Sequence, residues 1–258
     1  MFGTLLRFYR ERAGLSQEVL GLSIGFSKSQ VAMVERGQRP PKGNFIARAD
    51  EALRAQGALN AAGAELTFSH LASWFEPFAT EEAKASARHE YETHVVPGLL
   101  QTEEYARAVL GHTHPSVDDE EVEGRVAARL ERQILFTRKP TPDIGFVMEL
   151  SALTKPIGGR HVRKRQLLRI LDIAQLRNVQ IQVMSPDREI HVGLDGPFVL
   201  LETKERRQLA YIEGQGGSFF ISEQPALGNL FGKYGILRAQ AHSPEESVKL
   251  IEQAAEER

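Results

Sequence analysis

Cysteine is missing altogether from the 258 residues. That absence excludes disulfides, zinc knuckles, iron–sulfur clusters, thiol nucleophiles and any thiol redox switch, and it removes the argument for an oxidising compartment. A metal site would have to be built from His, Asp and Glu. Long apolar runs are lacking too: nothing approaches the ~18 residues of a membrane span. The opening stretch carries Arg7, Arg10 and Arg12 where a secretory leader needs apolar residues. The chain therefore reads as cytoplasmic, with no membrane partner. Nor does charge of one sign dominate, since 32 Lys+Arg face 34 Asp+Glu for a formal net charge of −2. With 41% hydrophobic and 26% charged residues the composition is globular, which excludes wholesale disorder. The length suits two ordinary domains.

The near-zero net charge argues against a nucleic-acid partner only if it is uniform. Residues 1–60 hold nine basic and five acidic residues, a net of +4, which leaves −6 for the remainder. A basic head is thus joined to an acidic body, an asymmetry typical of chains that place one part against phosphate.

In the head, Phe2, Leu5, Leu6, Tyr9 and Ala13 follow helical spacing up to Gly14. Ser16 offers an N-cap for a second helix carrying Val19, Leu20 and Ile24 and ending at Gly25. Ser27-Lys28-Ser29-Gln30 has capping-box form and opens a third helix, closed by Gly37 before Pro40-Pro41. A fourth is expected from Asn44 to about Gln56. Two short helices across a tight Gly-containing turn match a helix-turn-helix, whose second helix enters the major groove by its N-terminal end. Lys28, Ser29, Gln30, Ala32 and Met33 are then the groove-facing positions, where Lys, Ser and Gln can bond base edges. Each has a competing duty: Gln30 could be spent on the capping box and Met33 on the core, while Lys28, Arg39 and Lys42 could be plain solvated charges.

The string Gly14-Leu15-Ser16-Gln17-Glu18, Phe26-Ser27-Lys28-Ser29-Gln30-Val31, Val34-Glu35-Arg36-Gly37 and Pro40-Pro41 resembles the phage-repressor-like (Xre) helix-turn-helix family. The resemblance implies that Gln17 bonds a backbone phosphate at the positive end of the second helix and that Arg36 lies close to phosphate. The DNA-binding set so expected is Gln17, Ser27, Lys28, Ser29, Gln30, Met33, Arg36, Arg39 and Lys42. Gly21 departs from the family's usual alanine- and charge-rich second helix and should weaken it by up to ~1 kcal/mol.

The small, Gly/Ala-rich run 57–68 reads as the junction, with domains expected at 1–60 and 61–258. The fold class expected is α+β, an all-α helix-turn-helix bundle followed by a mixed α/β domain. In the body, Ala85 to Thr93 reads as a strand with His89 and Tyr91 on one face and Arg88, Glu90 and Glu92 on the other. Thr102 caps a helix to Leu110, and Val117–Arg138 reads as one long helix with Val122, Val126, Leu130, Ile134 and Leu135 in phase. Asp118-Asp119-Glu120-Glu121 suits its positive end and not a metal. A strand is expected at 144–150, a basic helix at 160–176, strands at 179–184, 197–202 and 209–213, and two helices at 225–241 and 244–257.

The body also resembles the C-terminal domain behind such modules in a large actinobacterial family of antitoxin-like regulators. The matching runs are Trp74-Phe75-Glu76-Pro77-Phe78, Val96 through Ala106, Arg129-Leu130-Glu131-Arg132-Gln133, Gly193-Leu194-Asp195-Gly196-Pro197-Phe198, Tyr211-Ile212-Glu213-Gly214-Gln215, and Ser243-Pro244-Glu245-Glu246-Ser247. This implies a transcription regulator that binds double-stranded DNA as a homodimer on a palindrome. A small acidic protein is often its partner, and sequestering that partner or a toxin is the alternative role.

Enzyme chemistry finds no support in the motifs. There is neither G-x-S-x-G nor G-x-x-x-x-G-K-[ST], and Gly214-Gln215-Gly216-Gly217 reads as a turn. No cofactor is expected. His112-Thr113-His114 ends a helix, so capping outweighs metal ligation, and Glu131-Arg132 reads as a surface pair. Two candidates remain. Trp74, Phe75, Phe78 and Tyr91 are an effector-pocket candidate, with plain core as the alternative. Arg160, Arg163, Lys164 and Arg165 are a candidate partner patch, with a solvated helix face as the alternative.

Overall fold

The computed structural model describes residues 2–37, 41, 44–69, 75–114, 116–185, 187–214 and 217–256, with the backbone alone over 64–69. The chain divides into two units, Met1–His70 and Leu71–Arg258. No helix among the described residues is long and apolar enough to cross a membrane.

The first unit is five helices: α1 (Phe2–Arg12), α2 (Gln17–Ile24), α3 (Lys28–Glu35), α4 (Phe45–Ala52) and α5 (Ala58–Ser69). Ser16 caps α2 by accepting the Val19 N–H at 3.2 Å, and Gly25 ends it in the left-handed region at φ 79°. At α3 both halves of the capping box form: Ser27 Oγ accepts from the Gln30 N–H (3.2 Å) and Gln30 Oε1 accepts from the Ser27 N–H (2.9 Å). Phe2, Leu6, Leu20, Ile24, Val31, Val34, Phe45 and Leu59 form the core of this unit. Gly21 is buried there, and a Cβ on it would lie 2.7 Å from the Phe26 carbonyl oxygen. The residue that costs α2 helix propensity is the one that lets α2 approach the turn before α3.

Two sequence expectations change in this unit. The fourth helix stops at Ala52, because Arg54 and Gln56 take left-handed φ values of 50° and 53°. The run 57–68, expected as the junction, is mostly α5. Its free N–H groups at Gly57, Leu59 and Asn60 are gathered by the buried Asp50 carboxylate at 2.8–3.1 Å. Alanine-rich composition here signals helix, and the division falls between His70 and Leu71 instead of at residue 60.

The second unit is a six-stranded mixed sheet in the order β3-β2-β1-β4-β5-β6, giving an α+β chain overall. The strands are β1 (Ala85–Glu92), β2 (Asp143–Met148), β3 (Val179–Val183), β4 (Phe198–Thr203), β5 (Gln208–Gly214) and β6 (Gly217–Ile221). The first three run parallel, and β4, β5 and β6 form an antiparallel meander joined to β1. Around them pack α6 (Glu76–Lys84), α7 (Glu103–Leu110), α8 (Asp119–Glu131), α9 (Leu150–Thr154), α10 (Arg160–Ala174), α11 (Ala226–Gln240) and α12 (Pro244–Glu256).

Caps expected from sequence are present: Thr102 on α7, Asp118 on α8 and the Ser243/Glu246 box on α12. The expected helix 117–138 breaks, because Arg132–Phe136 tightens to a 3-10 turn. That changes the phase, so Ile134 points out at 67% exposure while Leu135 and Phe136 are buried. His112 Nδ1 lies 2.9 Å from the Ala108 carbonyl, at the C-terminal end of α7.

Sheet alternation sorts the core. Val147, Phe198, Leu200 and Ala210 face α11 with Tyr234 and Leu237. On the other face, Ile144, Phe146 and Met148 meet α10 and α12, while Val199, Leu201, Leu209 and Tyr211 meet α6. Between those two apolar clusters runs the row Arg88, Glu90 and Glu92 of the central strand β1, with Glu90 placed between Phe146 and Val199.

Candidate functional site

The helix pair α2–α3 presents one outward surface. Ser29, Met33 and Arg36 recur at spacings of four and three, so they share a face of α3, with Lys28 on the first turn beside them. Ser27, Lys28, Ser29 and Arg36 are exposed and Met33 is half-buried. Lys28 Nζ meets Glu18 at 3.6 Å with both side chains 64% exposed, a contact worth at most about 1 kcal/mol. Behind this face lies a polar knot. Arg10 of α1 grips Glu35 with Nε at 2.5 Å and Nη2 at 3.0 Å, and Gln17 Nε2 donates to the same carboxylate at 2.8 Å. The Glu35 bond raises the Arg10 pKa above its ordinary range. One carboxylate at the end of α3 thereby ties α1 and the start of α2 to α3.

In the second unit, a cavity of about 560 Å³ opens over the charged row of β1. Its apolar wall is Phe75, Phe78 and Tyr211, with Tyr211 stacked on Phe78 at 4.3 Å between centroids. Its polar wall begins with Arg88, which is 1% exposed, hydrogen-bonded to Glu82 (2.7 Å) and ion-paired with Glu90 (2.8 Å). Arg132 binds Glu82 through two nitrogens, at 2.7 and 3.0 Å, and lies 4.7 Å from the Phe75 ring centroid. Burial works against ionising Glu82, yet Arg132 and Arg88 together hold its pKa below the ordinary value.

Arg129 is placed differently. Nη1 donates to Gln101 Oε1 at 2.7 Å, and Gln101 in turn donates to the Val96 carbonyl. Burial first, and then the neighbouring Arg132 charge, push the Arg129 pKa down to about 10. Glu92 accepts the Thr93 and His94 N–H groups at 2.7 and 3.0 Å. Even so, burial and the adjacent Glu90 push its pKa up to about 7.

Residues 75–253 match a family described as a domain of unknown function (DUF5753), and residues 1–62 match a helix-turn-helix domain. The chain belongs to the DUF5753 family. Its N-terminal unit is a helix-turn-helix of the DNA-binding kind. Neither a curated protein nor a solved structure matches the chain.

In this DUF5753 protein, the residues expected from sequence have mixed placements. Ser27, Lys28, Ser29, Met33 and Arg36 share the α3 surface. Gln30 Oε1 is spent on its capping box, and the Gln17 amide is turned onto Glu35. Arg39, Lys42 and Trp74 lie outside the described residues. Phe75 and Phe78 line the cavity with their rings; Tyr91 borders it, but its ring packs with Phe198 and its hydroxyl donates to Glu149 at 2.6 Å. The basic run on α10 separates: Arg163 donates inward to the Thr154 and Ala254 carbonyls, Arg165 pairs with Glu104 at 3.1 Å, and Arg160 and Lys164 are exposed.

The arginines and glutamates of the cavity were not expected from sequence. Arg132, taken as half of a surface pair with Glu131, instead turns onto Glu82 from 50 residues away. The usable signal was the strand Arg88-His89-Glu90-Tyr91-Glu92, which carries ionisable groups on both faces and so cannot lie flat on an ordinary core. Five of the six body runs quoted above contribute to this lining, through Phe75 and Phe78, Gly98 and Gln101, Arg129 and Arg132, Pro197 and Phe198, and Tyr211 and Glu213.

Proposed function

We propose that this DUF5753 protein is a sequence-specific transcription regulator that binds a palindromic operator as a homodimer, with its second unit supplying the regulatory input. The observation that carries the reading is the α3 surface, where Lys28, Ser29, Met33 and Arg36 stand on the outer face of the second helix of a helix-turn-helix. Side chains of these types at the start of such a helix reach base edges and phosphates of the major groove. Two-fold symmetry puts the two α3 helices about 34 Å apart on successive turns of the duplex.

The second unit is read as a binder and not an enzyme. Its carboxylates are engaged structurally, Glu82 by two arginines and Glu92 by backbone amides, which suits a rigid recognition cavity. The antitoxin-like role, sequestering a small acidic protein, is a second reading that draws on the exposed Arg160 and Lys164. Co-purification of a stoichiometric acidic partner from native extract, lost in an Arg160→Glu, Lys164→Glu chain, is the result that favours it.

Gel shifts on the DNA upstream of the protein's own gene test the first reading. Affinity should fall steeply with salt, as released counterions require. Lys28→Ala combined with Ser29→Ala should cost at least about tenfold, or 1.4 kcal/mol, with the melting temperature unchanged. Salt-insensitive binding, or binding untouched by the double substitution, counts against the assignment.

A further inference from the structure

The cavity holds three arginines, and the two buried carboxylates that answer them are already shared out. Glu82 serves Arg88 and Arg132, and Glu90 serves Arg88. Arg129 has no carboxylate within ion-pair distance among the described residues, and its printed hydrogen bond goes to a neutral amide. Of the remaining acids on the lining, Glu92 is occupied by the amides of its own loop and Glu213 is exposed. Arg129 is half-buried, and Glu213 and Glu90 act on it only from beyond ion-pair distance; a bidentate oxyanion is the group that best complements a guanidinium so placed. Beside it stand flat apolar surfaces, Phe75, Phe78 and Tyr211. The volume, about 560 Å³, is that of a small-molecule site.

We propose that this cavity binds a small organic anion with a flat apolar body, its carboxylate or phosphate on Arg129 and its body against the Phe75, Phe78 and Tyr211 rings. The pairing of the other charges makes the site selective. Arg88 and Arg132 are neutralised and fixed by Glu82 and Glu90, so they shape the wall without competing for the anion. Gln101, held by Val96, fixes the approach of the Arg129 fork. This deepens the regulatory-input reading and rests on it only for the coupling to DNA, because occupancy of the cavity is measurable on its own.

Calorimetric titration of the full chain tests the inference with benzoate, 1-naphthoate and phenyl phosphate against benzamide and benzylamine. The anions should bind, naphthoate more tightly than benzoate, with benzamide and benzylamine at least about tenfold weaker. The ratio of phenyl phosphate to benzoate separates a phosphate site from a carboxylate site. Arg129→Met should erase the preference for anion over amide. Arg129→Lys, which keeps the charge and loses the fork, should keep the preference with reduced affinity, so the inference stays testable if the methionine variant does not fold. Benzamide or benzylamine binding as well as benzoate, no anion binding below about 10 mM, or an anion preference that survives Arg129→Met overturns it. If benzoate binds at Arg129 while operator affinity does not change, the site stands and the regulatory-input reading fails.

Discussion

Glu35 joins three helices through one carboxylate, and its removal from water is tolerated only because Arg10 and Gln17 saturate it. Arg10→Ala leaves that charge nearly buried, at 3% side-chain exposure, without its cation. The expected cost is about 3–5 kcal/mol of stability, read by urea unfolding of the helix-turn-helix unit; a loss below 1 kcal/mol would show that the pair is not the tie described. Glu92 makes a prediction about pH. Its carboxyl, ordinarily at 4.5, is held at about 7, so the fold binds this proton more tightly than the unfolded chain does. The stabilisation is therefore complete below pH ~4.5 and is lost as pH rises through 7. Glu92→Gln keeps the acceptor oxygen for the Thr93 and His94 amides and removes the titration. The melting temperature of the parent relative to this variant should fall between pH 5 and 8; a constant difference contradicts the burial argument. Residues of this kind are hard to read in sequence, because Glu82, Arg88 and Arg132 acquire their roles only when the turn after α8 is brought onto α6, 50 residues away, beside the start of β1. Phe75 and Phe78 pack together as sequence clustering suggests, whereas Tyr91, grouped with them in sequence, packs with Phe198 and His191 instead.

Helices α2 and α3 were legible because their ends are written in local chemistry, with Ser16 and Ser27 as caps and Gly25 as a left-handed stop. Gly21 reads in sequence as a propensity defect, while the structure packs it against the Phe26 carbonyl. Gly21→Ala gains propensity and forces the α2–α3 turn apart, so a net loss of about 1–3 kcal/mol is expected, together with weaker DNA binding, measured by thermal melting and gel shift in parallel. A more stable variant with unchanged binding would contradict the close approach. Elsewhere the elements that escaped have identifiable reasons. The hairpin partner β6 borders only β5 and leaves Phe219 and Phe220 61% and 40% exposed, so it carries no inward-outward alternation. Helix α6 was hidden inside an aromatic cluster containing Pro77, which sits at its permissive first turn. The break after Glu131 has no Gly or Pro to announce it, and only the outward turn of Ile134 records the change of phase.

At the scale of the whole chain, the boundary at His70 adds Glu65 to the head, which shifts the split to +3 and −5 without altering its sense. A basic helix-turn-helix unit is thus followed by an acidic DUF5753 unit, and a net charge of −2 conceals both. The cysteine-free composition excludes a thiol redox signal to these 258 residues. The central claim is that α3 reads base pairs. Footprinting of the full-length protein, on duplexes selected from a random pool, tests it most directly. Two protected half-sites about 34 Å apart are expected. The pair Lys28→Ala, Ser29→Ala should erase them while leaving the melting temperature in place. Protection that persists in that variant, or selection that yields no shared sequence, would contradict the account.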